Sequence, residues 1–450
     1  MFQHIITISS CLSLCFAYGT QQSASQIQYP NNYGSPSSST PPNHRLTEVF
    51  AWKQMEFAYP NAQVRKFAMD NGDFVPGNIN PIGVGASGSR VFVTMPRWRS
   101  GVPATLATVR FPSTSPSPLL HPYPDWAWNR LGNCDGITSV YRVKTDECNL
   151  LWVIDTGVAN SRRICPAQIV AFDLATDDMV HRFRYPENVL REESLPGAIE
   201  VEYPAGHCGP PSTAVVYASD VTTFTLLVAD LSTNRAWRVR HRTMFPSANA
   251  AIININDESL ELMDGIVGLA LSPPLTQPQR ELFYNPLSGY RQHWVRTDVL
   301  RNETRAMRSR QAFMSAPELR PGPSQSVGCT IDKNGVLFFG LLNSNALACW
   351  ATNKPYTRNN VVTLARDDEK LQYTGTVFAD QEGRLWVMSA RVHKFFLGSQ
   401  NPHDFNFRVF LANSSTELVR GTACEHNFMW LESGSHRYQR NRTTTLMPDY

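Results

Sequence analysis

Between Ile137 and Lys144 the side chains alternate. Ile137, Ser139, Tyr141 and Val143 fall on one face, and Thr138, Val140, Arg142 and Lys144 on the other. That is the period of a half-buried β-strand. Polar Thr145 to Asn149 turns the chain, and Leu150 to Ile154 is then apolar almost throughout, as a strand covered on both faces must be. Asp155-Thr156-Gly157 stops it. A carboxylate placed directly at the end of so apolar a strand raises the question of what it faces.

The same phrase, a short apolar strand and then a polar stop, begins again at Arg90, Leu150, Val215, Glu281, Val336 and Arg384. Strand-rich units recurring every ~50–65 residues predict a β-propeller, one four-stranded blade per unit. The expected fold is therefore all-β, a single six-bladed propeller whose inner strands line a central channel. Such a ring has to be closed. The strand-like stretch Glu48 to Pro60 is expected to pair with Phe407 to Leu411 in the last blade and so fasten the two ends of the chain together. Residues 1–19 read as a signal peptide, 20–45 as a disordered Ser/Pro/Asn-rich linker, 46–432 as the propeller and 433–450 as a basic tail. Pro186 to Pro211 reads as a long connection, partly helical around Asn188 to Ser194. Pro-rich Ser113 to Asp125 reads as a surface loop. Gly83-Val84-Gly85-Ala86-Ser87-Gly88 is a formal GxGxxG. A strand rather than a helix follows it, so it reads as a turn and not as a dinucleotide loop.

These residues also carry a family resemblance. Asn133 to Gly157 followed by Cys165 to Leu174, with Met95 to Val109, Asn334 to Trp350 and Gly383 to Arg391, resembles the insect Yellow/major royal jelly protein family over roughly Glu48 to Glu425. The resemblance implies a secreted six-bladed propeller. For some members it implies a part in cuticle pigmentation and melanin formation, and for certain members dopachrome conversion. Salivary relatives of blood-feeding insects bind serotonin and catecholamines in the channel. Amine binders of the family read Ser-Asn before a basic residue, whereas this chain reads Ser389-Ala390-Arg391. Losing that amide argues against tight amine binding.

A net charge of +3 is too small to point to a nucleic-acid or membrane partner. The apolar run Ile5 to Ala17 is too short to span a bilayer, and the expected product is secreted and extracellular. Secretion favours disulfides. Of nine cysteines, seven remain once Cys11 and Cys15 leave with the signal peptide, so at least one stays unpaired within the chain. Cys134 and Cys165 begin strands at the same end of one blade, which favours their pairing; Cys349–Cys424 is the second pair expected. Spacing alone decides neither. Asn302, Asn413 and Asn441 each head an N-glycosylation sequon.

Catalytic motifs are missing: there is no HExxH, no phosphate-binding loop and no histidine spacing suited to a metal, and no cofactor is expected. What remains is positional. Polar residues ending inner strands would surround the channel mouth, and the candidates are Asp135, Asp155, Asp220, Asp264, Asn285, Asn343, Thr376 and Arg391. Of these, Asp155, Asp220, Asn285, Asn343, Thr376 and Arg391 form the expected ligand set. The plain alternative is that they cap turns by accepting backbone N–H bonds. Trp152 and Trp386 sit in apolar runs and read as core. Three functions compete: a secreted binder of a small catecholamine- or indole-type ligand acting in pigmentation; a dopachrome-converting enzyme in which a channel Asp moves a proton; and, by analogy between propellers, a calcium-dependent lactonase. The first is favoured.

Overall fold

The computed structural model describes residues 46–274 and 279–425. The expected signal peptide, the linker, the basic tail and the Asn441 sequon lie outside the described residues. Six four-stranded antiparallel sheets form a six-bladed β-propeller. The inner strands are Gly83–Ser87, Val140–Thr145, Pro196–Glu202, Ile266–Leu271, Cys329–Ile331 and Thr374–Ala379. Each packs against the next, and the last against the first.

The apolar phrases that announced the blades are the second strands: Arg90–Thr94, Leu150–Asp155, Val215–Asp220, Glu281–Pro286, Val336–Leu341 and Leu385–Ser389. This corrects their expected place on the channel wall. A second strand has a bonded strand on each edge and a neighbouring blade over each face, so it is the most apolar of its blade. An inner strand must also carry polar groups toward the axis. Its pattern is weaker, which is why Pro196–Glu202 was hidden in the supposed connection. Asn188 to Ser194, expected to be partly helical, forms turns.

The core is divided into apolar clusters packed between successive blades. Trp152 and Ile169 meet Val201 and Val216 between blades two and three, and Phe283 meets Leu337 and Trp350 between blades four and five. Three blades share a device at their first hairpin. Asp146 accepts the backbone N–H groups of Cys148 and Leu150 at 2.9 Å and the indole N–H of Trp152 at 2.6 Å. Asp380 accepts the N–H of Arg384 at 2.8 Å and the indole N–H of Trp386 at 2.7 Å. Asp332 holds the N–H groups of Asn334 and Val336, each at 3.0 Å. Trp152 and Trp386 are fully buried, as core residues.

Ring closure follows the expected plan. Thr47–Trp52 is the outermost strand of blade six and lies antiparallel to Phe407–Ala412, with Trp52 opposite Phe407 and Thr47 opposite Leu411. Phe50 and Trp52 are buried to 1% exposure. The Pro-rich stretch is more than a loop: it carries His121–Pro122, the outermost strand of blade one. Its Pro116 carbonyl accepts the Ala51 N–H at 2.8 Å, its Pro118 carbonyl accepts the Trp52 indole N–H at 2.9 Å, and its Leu120 N–H donates to Glu56 at 2.9 Å. It straps the closing strand to the first blade. The glycine signature has a similar steric purpose: a Cβ on Gly83 would stand 2.9 Å from the Tyr141 carbonyl oxygen, so the residue lets blades one and two approach.

Disulfides join Cys134 to Cys165 and Cys349 to Cys424, as expected, and Cys148 to Cys208. Cys329 is free and buried. Asn302 and Asn413 are exposed.

Closure has a measurable consequence. A chain beginning at Asn61 lacks Phe50, Trp52 and Phe57, whose burial contributes about 5 kcal/mol or more, a large part of a typical domain's stability. With both placed behind the same signal peptide, it is expected to aggregate or fail to be secreted, while a chain resuming at Asn43 keeps wild-type yield and melting temperature. Comparing the two in one secretion assay checks this.

Candidate functional site at the channel mouth

The second strands end, and the inner strands begin, on the same face of the ring. At this face Asp155 is wholly buried. One carboxylate oxygen accepts the N–H groups of Ser139 at 2.7 Å and Gly157 at 3.1 Å; the other accepts those of Thr138 at 2.9 Å and the Gln168 side-chain amide at 3.1 Å. A carboxylate offers about four lone-pair positions, and all are taken. Gly157 is required beside it: its φ is 69°, and a Cβ would meet the Cys165 carbonyl oxygen at 2.0 Å.

Asp220 ends the second strand of blade three and Asn285 stands one residue before the end of that of blade four, both fully buried. Asp220 accepts the Leu195 N–H at 2.8 Å, and Asn285 donates to the Ser326 carbonyl at 2.7 Å. Each therefore holds a loop entering an inner strand. Asn343 donates to the Pro323 carbonyl at 3.3 Å. Asp135 is exposed and pairs with Arg184 at 2.9 Å. No hydrogen bond or ion pair among the described residues joins any two of Asp155, Asp220, Asn285 and Asn343. Thr376 is different. Its hydroxyl donates to the Ile82 carbonyl, which also accepts from the Arg142 guanidinium. Arg391 lies off the axis, lining a cleft with Arg408 and Phe405.

Side chains bridge inner strands at three levels of the channel. Nearest the mouth, Arg142 reaches from blade two to the carbonyls of Ile82 and, at 2.8 Å, Gly375 in blade six. Burial lowers its pKa to about 10, still charged at neutral pH. Below it, the Lys144 ammonium pairs with Glu200 of blade three at 2.9 Å and lies 5.9 Å from the Phe378 ring centroid of blade six. At the far end the Gln381 side chain donates to the Thr145 carbonyl at 3.3 Å.

Above Arg142 sits the one carboxylate of the candidate set left uncommitted. Asp264 is half-buried, and its main chain is pinned by Ser288, whose hydroxyl oxygen accepts the Asp264 N–H at 3.0 Å and whose own N–H donates to the Asp264 carbonyl at 3.1 Å. Its carboxylate makes no hydrogen bond to a described residue. Burial raises its pKa from 3.8 to about 6. Tyr141 and Tyr373 are close enough to feel it: burial pushes both phenols up, and the Asp264 charge adds to the effect. The Trp98 indole donates to the Tyr141 hydroxyl at 2.6 Å and stacks obliquely on Phe396, 4.9 Å between centroids. His393 lies parallel to Tyr373 at 6.2 Å, and burial holds its imidazole neutral with a pKa of about 4.

A cap leans over this group. Helix Val392–Leu397 carries His393 and Phe396, and hairpin Ile252–Ile255/Glu258–Glu261 faces it. Glu258 ties the two, accepting from Lys394 at 2.7 Å. Of this group the sequence singles out Asp264 but not Trp98, Tyr141, Tyr373 or His393. Tyr141 stood in the alternating stretch and Trp98 in the family-like Met95 to Val109 segment. Nothing in either run of letters marks them as neighbours, because five separate stretches of chain meet here. Among the described residues no group of three or more His, Cys, Asp or Glu side chains is placed to hold a metal ion.

The architecture is a closed propeller with an aromatic, singly acidic mouth on a channel bridged by side chains. The major royal jelly protein family model matches residues 138–424. Protein yellow of Drosophila melanogaster is 34% identical over 390 residues, covering 85% of this chain and 71% of that protein. Protein yellow of Drosophila subobscura is equally identical, with 68% of that protein covered. This chain belongs to the Yellow/major royal jelly protein family. Among solved structures, a catalytically inactive virginiamycin B lyase from Staphylococcus aureus aligns over 70% of this chain and 79% of its own at 10% identity and a TM-score of 0.40, too distant a likeness to bear on function.

Two substitutions separate the roles of the carboxylates. Asp155→Ala strands several buried donors and is expected to cost about 3 kcal/mol or more in urea unfolding. Asp264→Asn is expected to do the reverse. An acid whose folded pKa lies above its unfolded value stabilises the fold below the unfolded value and loses that contribution as pH rises through the folded one, here from 3.8 to about 6. The Asn variant should therefore melt a few degrees above wild type at pH 7–8, with the two curves meeting below about pH 4.

Proposed function

We propose that this protein is a secreted binder of a small aromatic amine or indole, taken up at the channel mouth and acting in cuticle pigmentation. The observation that carries the reading is Asp264: a half-buried carboxylate with no hydrogen-bond partner among the described residues, beside Tyr141 and Tyr373. An ammonium group meeting it gains a charge-assisted hydrogen bond, worth roughly 1.5–3 kcal/mol. The faces of Trp98 and Tyr141 add cation–π attraction and stacking surface. Three disulfides suit an oxidising, extracellular setting, and no described helix is long and apolar enough to cross a membrane. The name of the relatives, Protein yellow, supports the pigmentation role.

One observation favours a second reading, dopachrome conversion. A carboxyl group with a pKa of about 6 is populated in both protonation states near neutral pH, as a group that takes a proton from carbon and returns it to oxygen requires. Asp264 would move that proton, with Tyr141 or Tyr373 orienting the ring oxygens.

Titration of the pure protein with dopamine, serotonin and an uncharged indole, followed by heat, tests the first reading. Cationic ligands are expected to bind, and Asp264→Asn to weaken them about 10-fold or more while barely changing the neutral indole. Unchanged affinity for all three in the variant would remove Asp264 from the site. Loss of dopachrome absorbance in parallel samples tests the second reading: catalysis should follow wild type, vanish in Asp264→Asn and fall as pH drops below about 6.

A further inference from the structure

Away from the axis, between the helix cap and the closing strand, lies a cleft of about 350 Å³ lined by Lys53, Glu369, Arg391, Asp404, Phe405 and Arg408, with His403 at its edge. Its floor is cationic. The Arg391 and Arg408 side chains are only 7% and 5% exposed, although buried guanidiniums normally need full pairing. Here the pairing is thin. Arg391 reaches the Glu369 carbonyl at 3.3 Å and stands 3.8 Å from the Asp404 carboxylate. Its Nε–H is buried without a partner among the described residues. Arg408 donates to the Phe405 carbonyl at 2.7 Å; its nearest acid oxygens, on Glu369 and Glu48, are at 3.3 and 3.4 Å.

The carboxylates are at the rim. Glu369 and Asp404 are 71% and 51% exposed, where an ion pair contributes little. Glu48 is shared with Lys370 at 3.4 Å. Counting Lys53, Lys370, Arg391 and Arg408 against Glu48, Glu369 and Asp404 leaves one positive charge unbalanced, with His403 neutral. Arg391 is also held in the left-handed backbone region, φ 41° and ψ 41°. A non-glycine residue there carries strain, of a kind that clusters at ligand-binding positions.

We infer that this cleft is a second ligand site, distinct from the channel mouth, which takes a small oxyanion between Arg391 and Arg408. Glu369 fills the place of that oxyanion when the site is empty: its carboxylate meets Arg408 while its carbonyl meets Arg391. Lys53 closes over the bound anion from the closing strand. The group recognised is a carboxylate, phosphate or sulfate, since a guanidinium fork matches two of its oxygens at once.

Inorganic phosphate and acetate, each titrated into the full-length protein at constant ionic strength with chloride as the balancing anion, test the inference by heat and by melting temperature. Saturable binding of at least one is expected; phosphate alone marks a tetrahedral ligand, and binding of both marks either shape. Lys53→Ala is expected to weaken binding about 3-fold and Arg391→Gln 10-fold or more. Glu369→Gln, which removes the competing charge from an exposed position, should tighten it about 3-fold or more. That gain cannot arise from misfolding, so it decides the matter even if Arg391→Gln is not secreted. No saturable binding of either anion, or Glu369→Gln binding no tighter than wild type, would overturn the site.

Discussion

The hydrogen bonds between Thr47–Trp52 and Phe407–Ala412 are the constraint on which the rest depends. A blade in the middle of the ring is covered on both faces whatever the ends of the chain do. The first and last blades are covered only if the ring closes. The apolar cluster between them joins Phe50, Trp52, Trp386 and Met388 to Val84 and Val91 and exists only in the closed form. Bringing distant ends together costs entropy that grows slowly with the length between them, whereas the apolar area gained grows with every side chain added to the seam. The Pro-rich strap over Ala51 and Trp52 fixes the same seam from the side of blade one.

Apolar groups lie between blades, and charge gathers along the axis and on the mouth face. Arg142 is satisfied by main-chain carbonyls rather than by an acid, and Arg97 likewise by the carbonyls of Val102, Pro103, Thr138 and Asn129. Such bonds neutralise desolvation without placing a carboxylate in the mouth. Asp264 is then left without a paired partner among the described residues, and burial raises its pKa.

How much was legible follows from the same division. Second strands are apolar on both faces, so Leu150–Asp155 and Leu385–Ser389 were plain in the sequence, and with them the number of blades and the closing strand. Inner strands mix Arg142, Lys144 and Glu200 with apolar neighbours and gave a weaker signal. The polar residue ending a strand was visible at Asp155, Asp220 and Asn285, but the letter cannot say whether a carboxylate turns toward backbone or toward a ligand. At Asp155 four donors take it. Trp98 and Tyr141 come from blades one and two, and Tyr373 and His393 from two separate stretches of blade six, so their meeting is a product of the ring and not of any local pattern. Arg391 was chosen for its place after a strand; its left-handed backbone accompanies a turn away from the axis.

Arg142, the Lys144–Glu200 pair and Gln381 tie inner strands together at successive depths along the channel. On the proposed binding reading, a ligand at the mouth would have these side chains below it and the cap above it. Its residence time would then depend on how readily the cap moves. A ligand held there and not turned over is what a scavenging role, on that same reading, would require.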